Sequence, residues 1–207
     1  MKLFFDTEFT GLQKDTTLIS LGVVAEDGSC FYGKFTDYNQ QQVNDWIEDN
    51  VLAKLELSNE IKSNYDVHEV EGTKDEVKEA FLFWLDELAA ETFELVSDVC
   101  HYDMILFIDM FGTAFDLPDY ISPACYDINQ DIYYGSSSMQ EAFDINREEL
   151  LKELAENSKD DIYYMVEPVL ELSEDSKHNS LYDALVIKAL YEIYDNYDND
   201  NKYFLNI

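Results

Sequence analysis

The sequence predicts an α/β fold in which a three-stranded antiparallel meander continues into parallel strands, with helices flanking the mixed sheet. Three observations predict it: strand-like segments crowd residues 1–35, helical and strand-like segments alternate from residue 73 onward, and Asp27-Gly28 parts two apolar runs as a hairpin turn does. The first three strands are Lys2 to Phe9, Thr17 to Ala25 and Cys30 to Phe35, rich in aromatic and β-branched residues. A mixed helical pattern covers Gln41 to Leu57, and the polar stretch Ser58 to Gly72 reads as a loop. Thr73-Lys74-Asp75-Glu76 forms a capping box, and Val77, Ala80, Phe81, Trp84, Leu85 and Leu88 then recur on one helical face.

Phe93 to Val99 reads as a fourth strand, and an apolar helix from about Tyr102 to Phe111 stops at Gly112. Pro118 and Pro123 bracket a loop, with Ala124 to Ile128 as a short fifth strand. A polar helix is expected from Ser136 through Ala155, an acidic segment to Lys177, and an apolar helix from about Ser180 to Tyr194. The organisation expected is a single domain over 1–195 with an insertion around 129–177, then a polar and aromatic tail over 196–207.

Composition sets further bounds. A chain of 207 residues that is 46% apolar can bury one substantial core. Cys30, Cys100 and Cys125 are odd in number and widely spaced, so neither a disulfide framework nor a zinc knuckle is indicated. The apolar start MKLFF is broken by Asp6, and no run approaches the roughly 18 apolar residues of a membrane span. A cytoplasmic protein without a membrane partner is expected. The formal charge of −32 is unusual for a protein that handles nucleic acid, because a basic stripe ordinarily displaces phosphate counterions. Three readings follow: a solvated acidic surface, a mimic of nucleic acid, or a site whose positive charge comes from bound cations.

Three clusters carry the chemistry. In the first strand Asp6 and Glu8 project on the same side, roughly 6.5–7 Å apart along the chain, and a cation can sit between them. The apolar flanks Leu3-Phe4-Phe5 and Phe9 would not carry two carboxylates into a packed face without something to neutralise them; the plain alternative is an edge strand with a wet acidic face. Asp103 opens the apolar helix after the fourth strand, where a first-turn acid is ordinarily explained by the exposed amides and the macrodipole. Strand C-termini are also where open α/β sheets place their ligands. His178 precedes the last helix, which Asn179 or Ser180 would cap, and Asp183 sits among Leu181, Ala184, Leu185, Val186 and Ile187. A carboxylate in that company needs a partner, whereas His178 reads equally as a loop base or as a solvent-facing histidine.

FFDTEFTGL, the segment SDVCHYDMILFIDMFG and HNSLYDALVIKAL, in that order, resemble the three exonuclease motifs of the DEDDh exonucleases of the ribonuclease-H-like superfamily. The resemblance spans about residues 3–190 and leaves 58–72, 129–177 and the tail less well covered. Within that superfamily, DTEFTGL with TLISLGVVAEDG and HYDMILFIDMFG is most similar to the small bacterial exoribonucleases related to ribonuclease T, typified by a mycobacterial enzyme.

The resemblance implies a ribonuclease-H-like fold and a two-metal 3′-5′ exonuclease releasing nucleoside 5′-monophosphates from single-stranded RNA or DNA 3′ ends. Asp6, Glu8 and Asp183 would ligate one divalent ion, Asp6 would bridge to a second that Asp103 helps hold, and His178 would accept the proton of the attacking water. Phe9, Thr10, Gly11 and Leu12 would lie beside the terminal nucleotide. Relatives of this kind commonly form homodimers. Oxygen-only ligands favour Mg²⁺ or Mn²⁺ over zinc. Two alternatives stay open: a DNA exonuclease resembling a proofreading subunit, and a catalytically silent acidic protein that engages a basic partner.

Overall fold

The computed structural model describes residues 1–130, 170, 172 and 176–202, with side chains described as far as residue 192. The expected helix over 136–155, most of the 129–177 insertion and the last residues of the tail, 203–207, lie outside the described residues. A six-stranded mixed sheet runs in the order β4-β3-β2-β1-β5-β6. Its strands are β1 Lys2–Phe9, β2 Leu18–Ala25, β3 Cys30–Phe35, β4 Val67–Gly72, β5 Phe93–Ser97 and β6 Ile121–Asp127. The β1-β2-β3 meander is antiparallel, whereas β4, β5 and β6 each pair in parallel. This α/β arrangement, flanked by helices, is compatible with the ribonuclease-H-like architecture.

Alternation along β1 divides the core in two. Leu3 and Phe5 join the cluster built with α3 (Lys74–Glu87) and α4 (His101–Phe111), while Phe4 faces the cluster built with α5 (Ser180–Lys202). The inner strands β2 and β3 are buried at every position, as strands covered on both faces must be. The hairpin at Asp27-Gly28 forms as expected, with Gly28 at φ 93° and Ala25 N–H donating to Ser29 O at 2.8 Å. The capping box also forms, with Glu76 accepting from Thr73 N–H at 2.7 Å.

Ser58 to Gly72 is not a loop. It holds a short helix, α2 (Asn59–Asn64), whose Ser58 cap accepts from Ile61 N–H, and the edge strand β4. The strand was hidden because a sheet edge carries charge: Glu69 and Glu71 face the buried Lys34 ammonium at 3.1 and 3.2 Å instead of an apolar core. Strand β6 begins at Ile121, ahead of the expected Ala124, and tolerates Pro123 beside a register irregularity opposite Phe93/Leu95. The mixed pattern over 41–57 resolves into α1 (Asp45–Asn50) between two 3₁₀ turns. Helix α5 continues past the expected end at Tyr194, since no glycine or proline interrupts it before Lys202.

Candidate active site

The register of β1 against β2 places Asp6 opposite Gly22 and Glu8 opposite Ser20, so both carboxylates lie on the sheet face covered by α5. That helix starts close against β2. Ser20 and Ser180 hydroxyls meet at 2.9 Å, and a Cβ on Gly22 would collide with the backbone of Ser180 and Leu181. Asn179 caps the helix by accepting from Leu181 N–H at 3.2 Å and Tyr182 N–H at 3.4 Å. Its amide nitrogen donates to Tyr32 Oη at 3.0 Å and Lys54 O at 2.8 Å, which fixes the helix start to β3 and the turn after α1. The first turn of α5 is thereby held where Asp183 meets the β1 carboxylates.

Asp6, Glu8 and Asp183 each offer an oxygen, and the three atoms lie within 4.8 Å of one another. This all-oxygen donor set fits a hard divalent cation. Asp103 reaches the same cleft from α4, and its Oδ1 accepts from Thr7 N–H at 3.1 Å and Thr7 O–H at 2.6 Å. Thr7 points to the opposite face of β1 from Asp6 and Glu8, so this strand carries two of the acids itself and anchors a further one, Asp103, through Thr7. His178 lies with Nδ1 4.0 Å from Glu8 Oε1, and its backbone N–H donates to Asp183 Oδ2 at 3.2 Å. Its left-handed backbone, φ 65°, is an uncommon conformation for a non-glycine residue, of the kind that clusters at functional sites.

The cleft encloses about 340 Å³ and is lined on one wall by Phe9, Leu12 and Tyr102. Phe9 stacks on Tyr102 at 5.5 Å, and the Tyr102 hydroxyl donates to Leu12 O at 2.6 Å, leaving the Leu12 side chain 75% exposed at the rim. Thr10 and Gly11 sit otherwise. Thr10 is buried, donating to Gln42 Oε1 at 2.6 Å and accepting from Thr17 N–H, so its side chain braces the turn; Gly11, at φ 142°, forms the bend behind Leu12.

Sequence reasoning missed several lining residues: Asp98, Val99, Tyr102 and Lys177. Asp98 bonds to the Asn129 amide. Val99 is β-branched yet left-handed at φ 50°, held by its N–H to Asp127 Oδ1 at 3.1 Å. Asp98 lies five residues before Asp103 in the same segment, and nothing in its spacing distinguishes it from the other acids of so acidic a chain.

Like charges gathered away from water hold their protons. Burial, then Asp103, Asp183 and Glu8, push Asp6 far above the carboxylate range; burial, then Asp183 and Asp103, do the same to Glu8. Asp103 is pushed up to about 6 by burial despite its Thr7 hydrogen bonds, and Asp183 to about 7 by burial, with Asp98 adding to it. Without cations, the folded chain therefore holds more protons than the unfolded chain from about pH 4 upward, so stability falls with rising pH through about 6 to 7. We expect the melting temperature of the cation-free protein to drop between pH 5 and pH 8. Asp183→Asn should flatten this slope relative to wild type, which separates the cluster from repulsion across the whole acidic surface. A slope unchanged by Asp183→Asn would count against it.

No family model matches the chain. A stretch of 55 residues is 42% identical to 3′-5′ exoribonucleases from two strains of Mycobacterium tuberculosis. The likeness is to exonucleases. It covers 27% of this chain, which spans about a third (33%) of the length of those curated relatives. Among the described residues, no helix is long and apolar enough to cross a membrane.

Proposed function

We propose that this protein is a cation-dependent 3′-5′ exonuclease of the DEDDh type, acting on short RNA strands or 3′ overhangs and releasing nucleoside 5′-monophosphates. The observation that carries the reading is the convergence of Asp6, Glu8 and Asp183 within 4.8 Å, with His178 beside them. The likeness to mycobacterial 3′-5′ exoribonucleases supports RNA as substrate.

Asp6, Glu8 and Asp183 would hold a divalent ion, Mg²⁺ or Mn²⁺, and Asp103 would help hold a second. Bound there, the ions supply an acidified water and neutralise charge on the phosphate. His178 is the general base. Its ring is half-exposed at the mouth of the cleft, so it can take a proton from water and pass it to solvent. Phe9 and Leu12 pack against the terminal base and sugar, and Tyr102 keeps them in place from behind. The net charge of −32 limits the grip to the few phosphates nearest the site, which favours short strands.

A 5′-labelled RNA oligonucleotide incubated with Mg²⁺ or Mn²⁺ should shorten as a one-nucleotide ladder, and His178→Ala should slow it by about 10²–10⁴-fold. A matching DNA strand should be degraded more slowly. If DNA is the faster substrate, the proofreading-like reading replaces this one; if neither strand shortens, the site is silent.

A further inference from the structure

Trp46 stands beside the His178 ring, with centroids 5.3 Å apart and planes at 74°. It is 55% exposed, although the next residue, Ile47, is buried with Val51 and Ile19 in a small cluster of its own. Helix α1 is short and well fixed: Asn44 caps it by accepting from Ile47 N–H at 3.0 Å, and Asn50 closes it by donating to Trp46 O at 2.8 Å. The indole therefore projects from a rigid support. The imidazole also has Glu8 Oε1 4.0 Å from its Nδ1, and the His178 backbone is in the left-handed region. A ring on an exposed turn has several rotamers open to it, and an aromatic wall removes some of them.

Resting on the exonuclease reading, we infer that Trp46 is a positioning residue that holds the His178 imidazole toward the carboxylate cluster through an edge-to-face ring contact, without itself touching substrate. An aromatic pair of this geometry is worth enough to bias a rotamer, and small misplacement of a reacting group is costly to rate.

Three measurements decide it. Trp46→Ala should lower kcat by about 10- to 100-fold with KM for a short RNA changed by less than about 2-fold, and Trp46→Phe should recover most of the loss. In a His178→Ala background, Trp46→Ala should cost almost nothing further, because its effect passes through the imidazole. Independently of activity, the difference between wild-type and Trp46→Phe fluorescence isolates the indole emission from that of the buried Trp84, and His178→Ala should change that emission. A raised KM with unchanged kcat, or a full additive loss in the double variant, would make Trp46 a substrate-binding residue and overturn the inference. Unaltered emission on His178→Ala would overturn the contact itself. If wild type releases no nucleotide, the exonuclease reading fails, while the emission experiment still decides whether the two rings are held together.

Discussion

Asp6→Asn is expected to lower kcat by about 10³-fold, several kcal/mol of transition-state stabilisation, while raising the melting temperature of the cation-free protein. The two effects have one cause. The Asp6 charge is opposed by burial first, then by Asp103, Asp183 and Glu8. An amide of the same shape removes that repulsion and leaves the strand pairing with β2 untouched. For a domain of this size about 1 kcal/mol corresponds to roughly 2–4 °C, so a gain of a few degrees is expected. The gain should vanish when Mg²⁺ is added, because cation binding stabilises the wild-type fold and not the variant. Thermal melts of both proteins, with and without Mg²⁺, check it; a variant less stable than wild type without cations would show that the acids are not strained.

Gly22→Ala should produce the largest loss of stability from a single methyl group. The added carbon has no room, because the neighbours are backbone atoms of Ser180 and Leu181 and not the end of a flexible side chain. Overpacking of this severity should cost about 3 kcal/mol, or roughly 6–12 °C. Any surviving fold must move the start of α5 away from β2, carrying Asp183 from Asp6 and Glu8. A displacement near 1 Å can cost about 10²-fold in rate, so residual activity should fall further than stability alone explains. Circular-dichroism melts and a Mn²⁺ titration of the variant check both parts. An unchanged melting point would mean that helix and strand are not in close contact.

The candidate site was more legible in the sequence than the route by which the fold assembles it. Asp6 and Glu8 share a face by strand periodicity, and the apolar neighbours of Asp183 announce a buried acid, so local rules sufficed. Gly22 shows where they stop. In the sequence it is a glycine in an apolar strand, and only the packing of a helix some 160 positions later reveals why a side chain is excluded. Asn179 was readable as a cap, but its grip on Tyr32 and Lys54 depends on tertiary placement. Tyr102 likewise looked like a helix start until its stacking on Phe9 joined α4 to the cleft wall. Strand β4 escaped notice for a different reason: its stabilising partners are Lys34 and the edge of β3, so the apolar alternation on which strand reading depends is absent.

The most direct test is to degrade a short RNA with free 3′ hydroxyl in ¹⁸O-labelled water and to identify the first product by mass spectrometry. Expected is a nucleoside 5′-monophosphate from the 3′ end with one ¹⁸O on its phosphate, formed with Mg²⁺ or Mn²⁺ and absent with chelator. A 2′,3′-cyclic or 3′-phosphate product, internal fragments, or cleavage that persists in chelator would contradict a cation-assisted attack of water at the Asp6, Glu8 and Asp183 cluster.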